Sequence, residues 1–183
     1  MKTDLYQKAK MFMIESLKKA DRDISHHQRT VYWLKKLESK PSEALLIAGI
    51  THDIERAFYG DWKKGSIKAT DINKHQKQSA QIVADFLSKE NADPELISRV
   101  KELISHHEIG GDREENVLCD ADALAVLEQK GLRFVRKFKK MGLSNNLIKK
   151  RIDYYYSRIK SAPAQKLAYP WYQKALKIIE REN

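Results

Sequence analysis

The chain reads as an all-α protein, a compact helical bundle with additional helices at its C-terminal end. Seven glycines and four prolines in 183 residues leave few chain breaks. Apolar residues recur at a period near 3.6 almost throughout, the signature of helices with one buried face. Hydrophobic residues make up 42% and charged residues 33%, the balance of a globular domain able to bury a core.

The elements follow in order. A first helix is expected over about 2–20, with Leu5, Ala9, Phe12 and Leu17 on or near one face. A second covers about 24–38. The stretch KPSEALLIAGITHDIERAF opens a third, with Pro41 in the N1 role and Leu45, Ala48 and Ile54 facing inward. YGDWKKGSIKATD reads as a loop leading to a helix at about 71–90. Asp93 followed by Pro94 is a start signal for the helix ending in LISHH, which the paired glycines of IGGDREEN then break. Three further helices are expected near 116–129, 131–141 and 143–160, and a last one after Pro170. No repeat or low-complexity linker divides the chain. Residues 1–183 read as one domain, with a core of about 20–130 and a basic helical extension over about 131–183.

Charge and cysteine content narrow the function classes. The net charge of +10 is uneven, because residues 131–183 hold 14 Lys and Arg against 3 Asp and Glu. Such a face is either a solvated helical surface or a basic rim that draws in a small anion. No zinc finger or aromatic RNA-binding motif points to a dedicated nucleic-acid partner. No apolar run approaches the roughly 20 residues that span a bilayer. The N-terminal stretch lacks a secretory pattern, and the lone Cys119 excludes an internal disulfide, so a cytoplasmic setting is expected. Oligomeric state is not legible.

The six histidines are distributed unevenly: two pairs, one His-Asp dipeptide and one singlet. In order, the candidate ligands are His26, His52 with Asp53, His75, His106 with His107, and Asp122. A lone helical histidine is most often a satisfied core or surface residue, so it is the grouping that points to a site. Imidazole with carboxylate, and no competing thiolate, suits Fe, Mn, Zn or Ni, with Mg a further candidate. Helical neighbours diverge by about 100°, so His52 and Asp53 can grip one ion only from a pocket wall completed by other helices.

The motifs SHHQRTV, AGITHDIER, KHQKQSAQIV, LISHHE and DADALAVL together resemble the HD superfamily of metal-dependent phosphohydrolases, over about residues 20–130. The ordered set is a specific match; the His-Asp dipeptide alone is not. The resemblance implies an α-helical bundle and, through the extra histidines, the binuclear branch with two divalent ions. It selects His26 over His27, because Arg29 stands three residues on, and Asp122 over Asp120, because Asp122 sits in an A-D-x-L context. His27 is then expected to pack, or to hold a ligand through a hydrogen bond. One ion is assigned His26, His52, Asp53 and Asp122. The other is assigned Asp53 as a bridge, with His75, His106 and His107.

The expected activity is hydrolysis of a phosphoester or phosphoanhydride in a nucleotide or small phosphorylated metabolite, by a hydroxide bridging the metals. Asp53 orients that hydroxide, and Arg56 neutralises developing charge. Arg29, Arg56 and Asp61 are the expected substrate contacts. Tyr154, Tyr155 and Tyr156 are candidates to stack on a base, and Arg151, Arg158 and Lys160 to meet phosphates. Most phosphohydrolases of the resembled family carry a Lys where this chain has Arg56, so the HDIER stretch departs from the pattern. Arg binds phosphate bidentately but does not donate a proton at neutral pH. A di-iron oxygenase on the same ligands and a non-catalytic, metal-containing nucleotide-binding module stand as alternatives. Phosphate release against dioxygen uptake separates the first two.

Overall fold

A computed structural model describes residues 4–60 and 69–181, and every described element is a helix. The first helix, α1 (Leu5–Lys19), is capped by Asp4 and buries Ala9, Met13 and Leu17. Asp23 accepts the backbone N–H of Ser25 at 2.9 Å, setting the turn into α2 (Ser25–Leu37). In α3 (Glu43–Thr51) the N-cap is Ser42, whose hydroxyl accepts from Leu45 N at 3.1 Å. Pro41 therefore precedes the cap and is not the N1 residue the sequence suggested. A single turn, α4 (Arg56–Tyr59), precedes α5 (Ala69–Lys89), which begins two residues before its expected start at 71.

Asp93 and Pro94 open α6 (Pro94–His106) as the sequence implies. The next helix, α7 (Arg113–Gln129), starts three residues before the expected 116. Asp112 and Glu115 form a reciprocal capping box that satisfies its first donors. The last third holds α8 (Gly131–Lys140), α9 (Asn145–Ser157) and α10 (Ala162–Arg181). Helix α10 begins well before Pro170, contrary to the sequence expectation, because Ser161 accepts the Ala164 N–H at 3.3 Å and supplies a start there. Pro170 then lies inside the helix, where it cannot donate a ladder hydrogen bond.

Helix α3 is the centre of the bundle, packed by α1, α2, α6 and α7. Nearly all of it is buried, from Ala44 to Thr51. Gly49 lets α2 come close: a Cβ there would lie 2.3 Å from Leu34 Cδ1. Leu34 and Val31 of α2 pack on that glycine. The C-terminal helices have a small core of their own, from Val135, Phe138, Ile148, Ile152, Ala175 and Ile179. They also join the main core through Ile159, Ala164 and Ala168. No helix of the described residues is long and apolar enough to cross a membrane.

Candidate metal centre

Four chain segments deliver polar side chains into the buried space beside α3, and the end of α3 itself supplies the fifth. Regular helix stops at Thr51, and the chain tightens through i→i+3 bonds from Ile54 N to Thr51 O (3.0 Å) and Arg56 N to Asp53 O (3.2 Å). The fully buried Ile54 pins this turn in the core. His52, Asp53 and Glu55 are thereby all held in the interior. The first turn of α2 adds His26 and His27, α5 adds His75, the end of α6 adds His107, and α7 adds Asp122, all buried.

The donor atoms converge in two sets that share Asp53. In the first, Asp122 Oδ1 lies 3.0 Å from His26 Nε2 and 3.4 Å from His52 Nε2, while Asp53 Oδ2 is 4.0 Å from His52 Nε2. In the second, His75 Nε2 lies 3.1 Å from Asp53 Oδ1 and 3.2 Å from His107 Nε2. His107 Nε2 is 3.7 Å from the same Asp53 oxygen. Metal–ligand bonds of about 2.0–2.2 Å place neighbouring donors about 2.8–3.6 Å apart, so most of these separations match the edges of a coordination shell. Three combinations of these residues are mutually close enough to hold an ion: His26, His52 and Asp53; His52, His107 and Asp122; Asp53, His75 and His107.

Outer hydrogen bonds aim the imidazoles. His52 Nδ1 donates to Gly49 O at 3.1 Å and His107 Nδ1 to Ile104 O at 2.8 Å. His75 Nδ1 donates to Glu55 Oε1 at 2.7 Å, and Glu55 Oε2 accepts from Ser79 Oγ at 2.6 Å. Each of these Nδ1 atoms is thus committed outward, leaving Nε2 to face the cluster, the arrangement that orients histidine ligands. His52 Nε2 is buried and has no hydrogen-bond partner among the described residues. That orphaned ring nitrogen is what a cation site requires.

Burial and neighbouring charges set the protonation of the cluster. Burial opposes charge on His75, but Asp53, Glu108 and Glu55 overcome it and push its pKa up to about 11. Burial, with Lys130 adding, drives His26 the other way, down to about 4. Burial likewise holds His27 well below its ordinary value. Asp53 and Asp122 resist burial and stay ionised, Asp53 through Arg56 and Asp122 through Arg158. Arg56 Nη2 sits 3.0 Å from Asp53 Oδ2 with 36% of its side chain exposed, so it stands at the edge of the cluster.

Several expected roles change. His106 is not with the other imidazoles: its side chain is 44% exposed and its Nδ1 bonds Glu115. The reason is geometric, since α6 ends at His106 and the capping His107 turns inward. Arg29 is occupied by Glu128, which it grips through Nε and Nη2 while lying over the Tyr32 ring. Asp120 accepts from the backbone of Lys160 and Ser161 and so anchors the start of α10, leaving Asp122 as the inward carboxylate. Arg158 is buried against Asp122, which removes it from any surface phosphate site. Tyr154 gives its hydroxyl to Glu108 Oε2 at 2.7 Å, and Tyr156 stacks on Tyr172 at 4.3 Å between centroids. Arg151 lies over the Phe138 ring, whereas Lys160 is exposed. His27 packs among the rings, 5.1 Å from His52 between centroids, and is in none of the three donor groups. Asp61 lies outside the described residues.

Sequence reasoning missed Glu55, Glu108 and Lys130. Glu55 carried a faint signal, because it stands two residues after Asp53 within the same HDIER stretch. Lys130, at the α7–α8 joint, interacts electrostatically with Asp53, Asp122 and Asp23, and nothing local in its sequence announces that.

Comparison with known proteins adds one decisive match. The family model for a domain of unknown function, DUF4202, matches residues 7–169. The chain belongs to the DUF4202 family. The match runs from α1 into α10, so all the ligand candidates and their Arg158 and Tyr154 supports lie inside the DUF4202 region. No curated protein and no solved structure matches the chain.

Proposed function

We propose that this DUF4202 chain is a metal-dependent phosphohydrolase acting on a nucleotide or another small phosphorylated metabolite, with two divalent ions in the shared cluster. The observation that carries the reading is the division of Asp53. Its Oδ1 belongs to the His75 and His107 set, and its Oδ2 faces His52 and Arg56. A carboxylate whose two oxygens serve adjacent donor sets is a bridge between ions. The imidazole-rich, thiolate-free shell favours Fe, Mn, Zn or Ni over Mg, which prefers oxygen ligands. Bound ions supply Lewis acidity and lower the pKa of water, the chemistry that phosphoryl transfer to water needs.

The chain's own residues supply the rest. Asp53 holds the two donor sets together, and Glu55 fixes the orientation of His75. Arg56 bonds Asp53 on one side and, being partly exposed, has donors left for the oxygens of an entering phosphate. Lys130 places a second cation near the same carboxylates. Together they form a positive edge on a negative cluster, suited to an anion that must approach ligated cations. The resemblance of the motifs that carry these same residues to the HD phosphohydrolases is in keeping with this reading. The test is phosphate release by metal-loaded protein over a panel of nucleotides and sugar phosphates, with chelated protein as the blank.

A further inference from the structure

Without His106, the second donor set is one ligand short of a four-donor shell. Asp53, His75 and His107 contribute three atoms within bonding reach of a common centre. Glu108 follows His107 in the chain, and its side chain is only 13% exposed. Its Oε1 lies 3.6 Å from His75 Nε2, which matches the longest edge of a shell with bonds of about 2.0–2.2 Å. Its other oxygen, Oε2, accepts the Tyr154 hydroxyl at 2.7 Å and lies 3.7 Å from Arg158 Nη1. The backbone N–H of Glu108 is fixed by Gln76 Oε1 at 2.9 Å, and Gln76 is itself fully buried beside His75. One oxygen is tied back and the other faces the imidazole.

Two roles fit a half-buried carboxylate held in this way. A purely structural Glu108 would anchor α9 through Tyr154 and Arg158, and both contacts involve Oε2. Among the described residues, that role leaves Oε1 with His75 Nε2 alone, at an ion-pair distance of 3.6 Å and with no closer donor. A ligand role uses both oxygens. We infer that Glu108 is the fourth donor to the second ion, in the place expected for His106, with Tyr154 and Arg158 as the residues that position it. The second ion is then held by two imidazoles and two carboxylates, which suits a borderline or hard divalent cation such as Mn or Fe. The C-terminal helices become part of the metal centre, because Tyr154 and Arg158 come from the end of α9.

This inference rests on the two-ion reading of the cluster and not on the reaction. Its test is calorimetric titration with Mn²⁺, paired with elemental analysis of desalted protein, for wild type, Glu108→Gln and His106→Ala. Glutamine keeps the shape and still accepts the Tyr154 hydroxyl, so it preserves a structural anchor while removing the charge. The expected result is that Glu108→Gln retains the first ion and binds the second at least about tenfold more weakly. His106→Ala should bind both as wild type does. Wild-type binding of both ions by Glu108→Gln, or loss of an ion from His106→Ala, overturns the assignment. Should Glu108→Gln prove too unstable to purify, Tyr154→Phe decides: weaker second-ion binding supports the assignment and unchanged binding overturns it. Failure of the phosphohydrolase reading would look different, as two-ion binding without phosphate release.

Discussion

Arg158 closes its guanidinium on Asp122 Oδ2, inside the protein, while Oδ1 of the same carboxylate faces His26 and His52. The pair divides one carboxylate between a fixed cation and the histidine cluster, so Asp122 keeps one oxygen turned to the imidazoles. Arg158 also donates to His107 O at 3.3 Å, which ties the end of α6 to the same strut.

Removing the strut should be costly. Breaking a buried ion pair by deleting one partner costs about 3–5 kcal/mol, because the other charge stays buried and unpaired. Arg158→Leu is expected to lower stability by that order in chemical denaturation and to lower metal content as well. Arg158→Lys should fall between, since it keeps the charge and loses the fork. Full stability and full metal content in Arg158→Leu would show that Asp122 needs no such strut.

Asp53 and Asp122 should differ as ligands. Asp53→Asn weakens both donor sets and should reduce bound metal toward none. Asp122→Asn affects the His26 and His52 set and should leave the ion held through Asp53, His75 and His107. Elemental analysis of the two variants checks this, and equal, mild losses would argue against a bridge.

The α2 pair offers a sharper contrast. His26 Nε2 contacts Asp122, whereas His27 packs on the His26 and His52 rings. His26→Ala should lose metal from the first set. His27→Ala should keep both ions and lower turnover by no more than about 10- to 100-fold through misoriented neighbours.

Much of this centre is legible from residue type and order, because imidazoles and carboxylates at such widely spaced positions are the residue types a metal site would gather. His26, His52, Asp53, His75, His107 and Asp122 all come together. His106 does not follow, although the divergence of helical neighbours that separates His26 from His27 applies equally to His106 and His107. Glu108 is illegible for a different reason. Its holders, Tyr154 and Arg158, lie on α9 and its C-cap, and no local pattern links residues so far apart in sequence. The helix starts that move at Pro41 and Pro170 do so where a serine cap outranks a proline signal.

Metal binding should release protons. In the metal-free protein burial works against charge on His75, but Asp53 leads the groups that push its pKa up to about 11, so it carries a proton at neutral pH. An ion on Nε2 must displace that proton, and binding therefore weakens as pH falls, by about tenfold per pH unit for each proton released. The sign for metal-free stability is the reverse. The raised value contributes stability that is fully present below the ordinary histidine pKa of about 6.5 and is lost as pH rises toward about 11. Mn²⁺ titrations in buffers of different ionisation enthalpy, at two pH values, read the released protons directly. Affinity independent of pH across the neutral range would contradict the assignment of His75 as a ligand.

Metal-dependent hydrolysis itself is tested by phosphate release from a panel of nucleotides and small phosphorylated metabolites. The comparison is between the purified chain loaded with Mn²⁺ or Fe²⁺, the same protein after chelation, and the loaded Asp53→Asn variant. The loaded chain should turn over at least one substrate, with activity abolished by chelation, restored by adding metal back, and absent in Asp53→Asn. Phosphate release that survives chelation, or a fully loaded chain that releases no phosphate from any member of the panel, would contradict the metal-dependent phosphohydrolase reading.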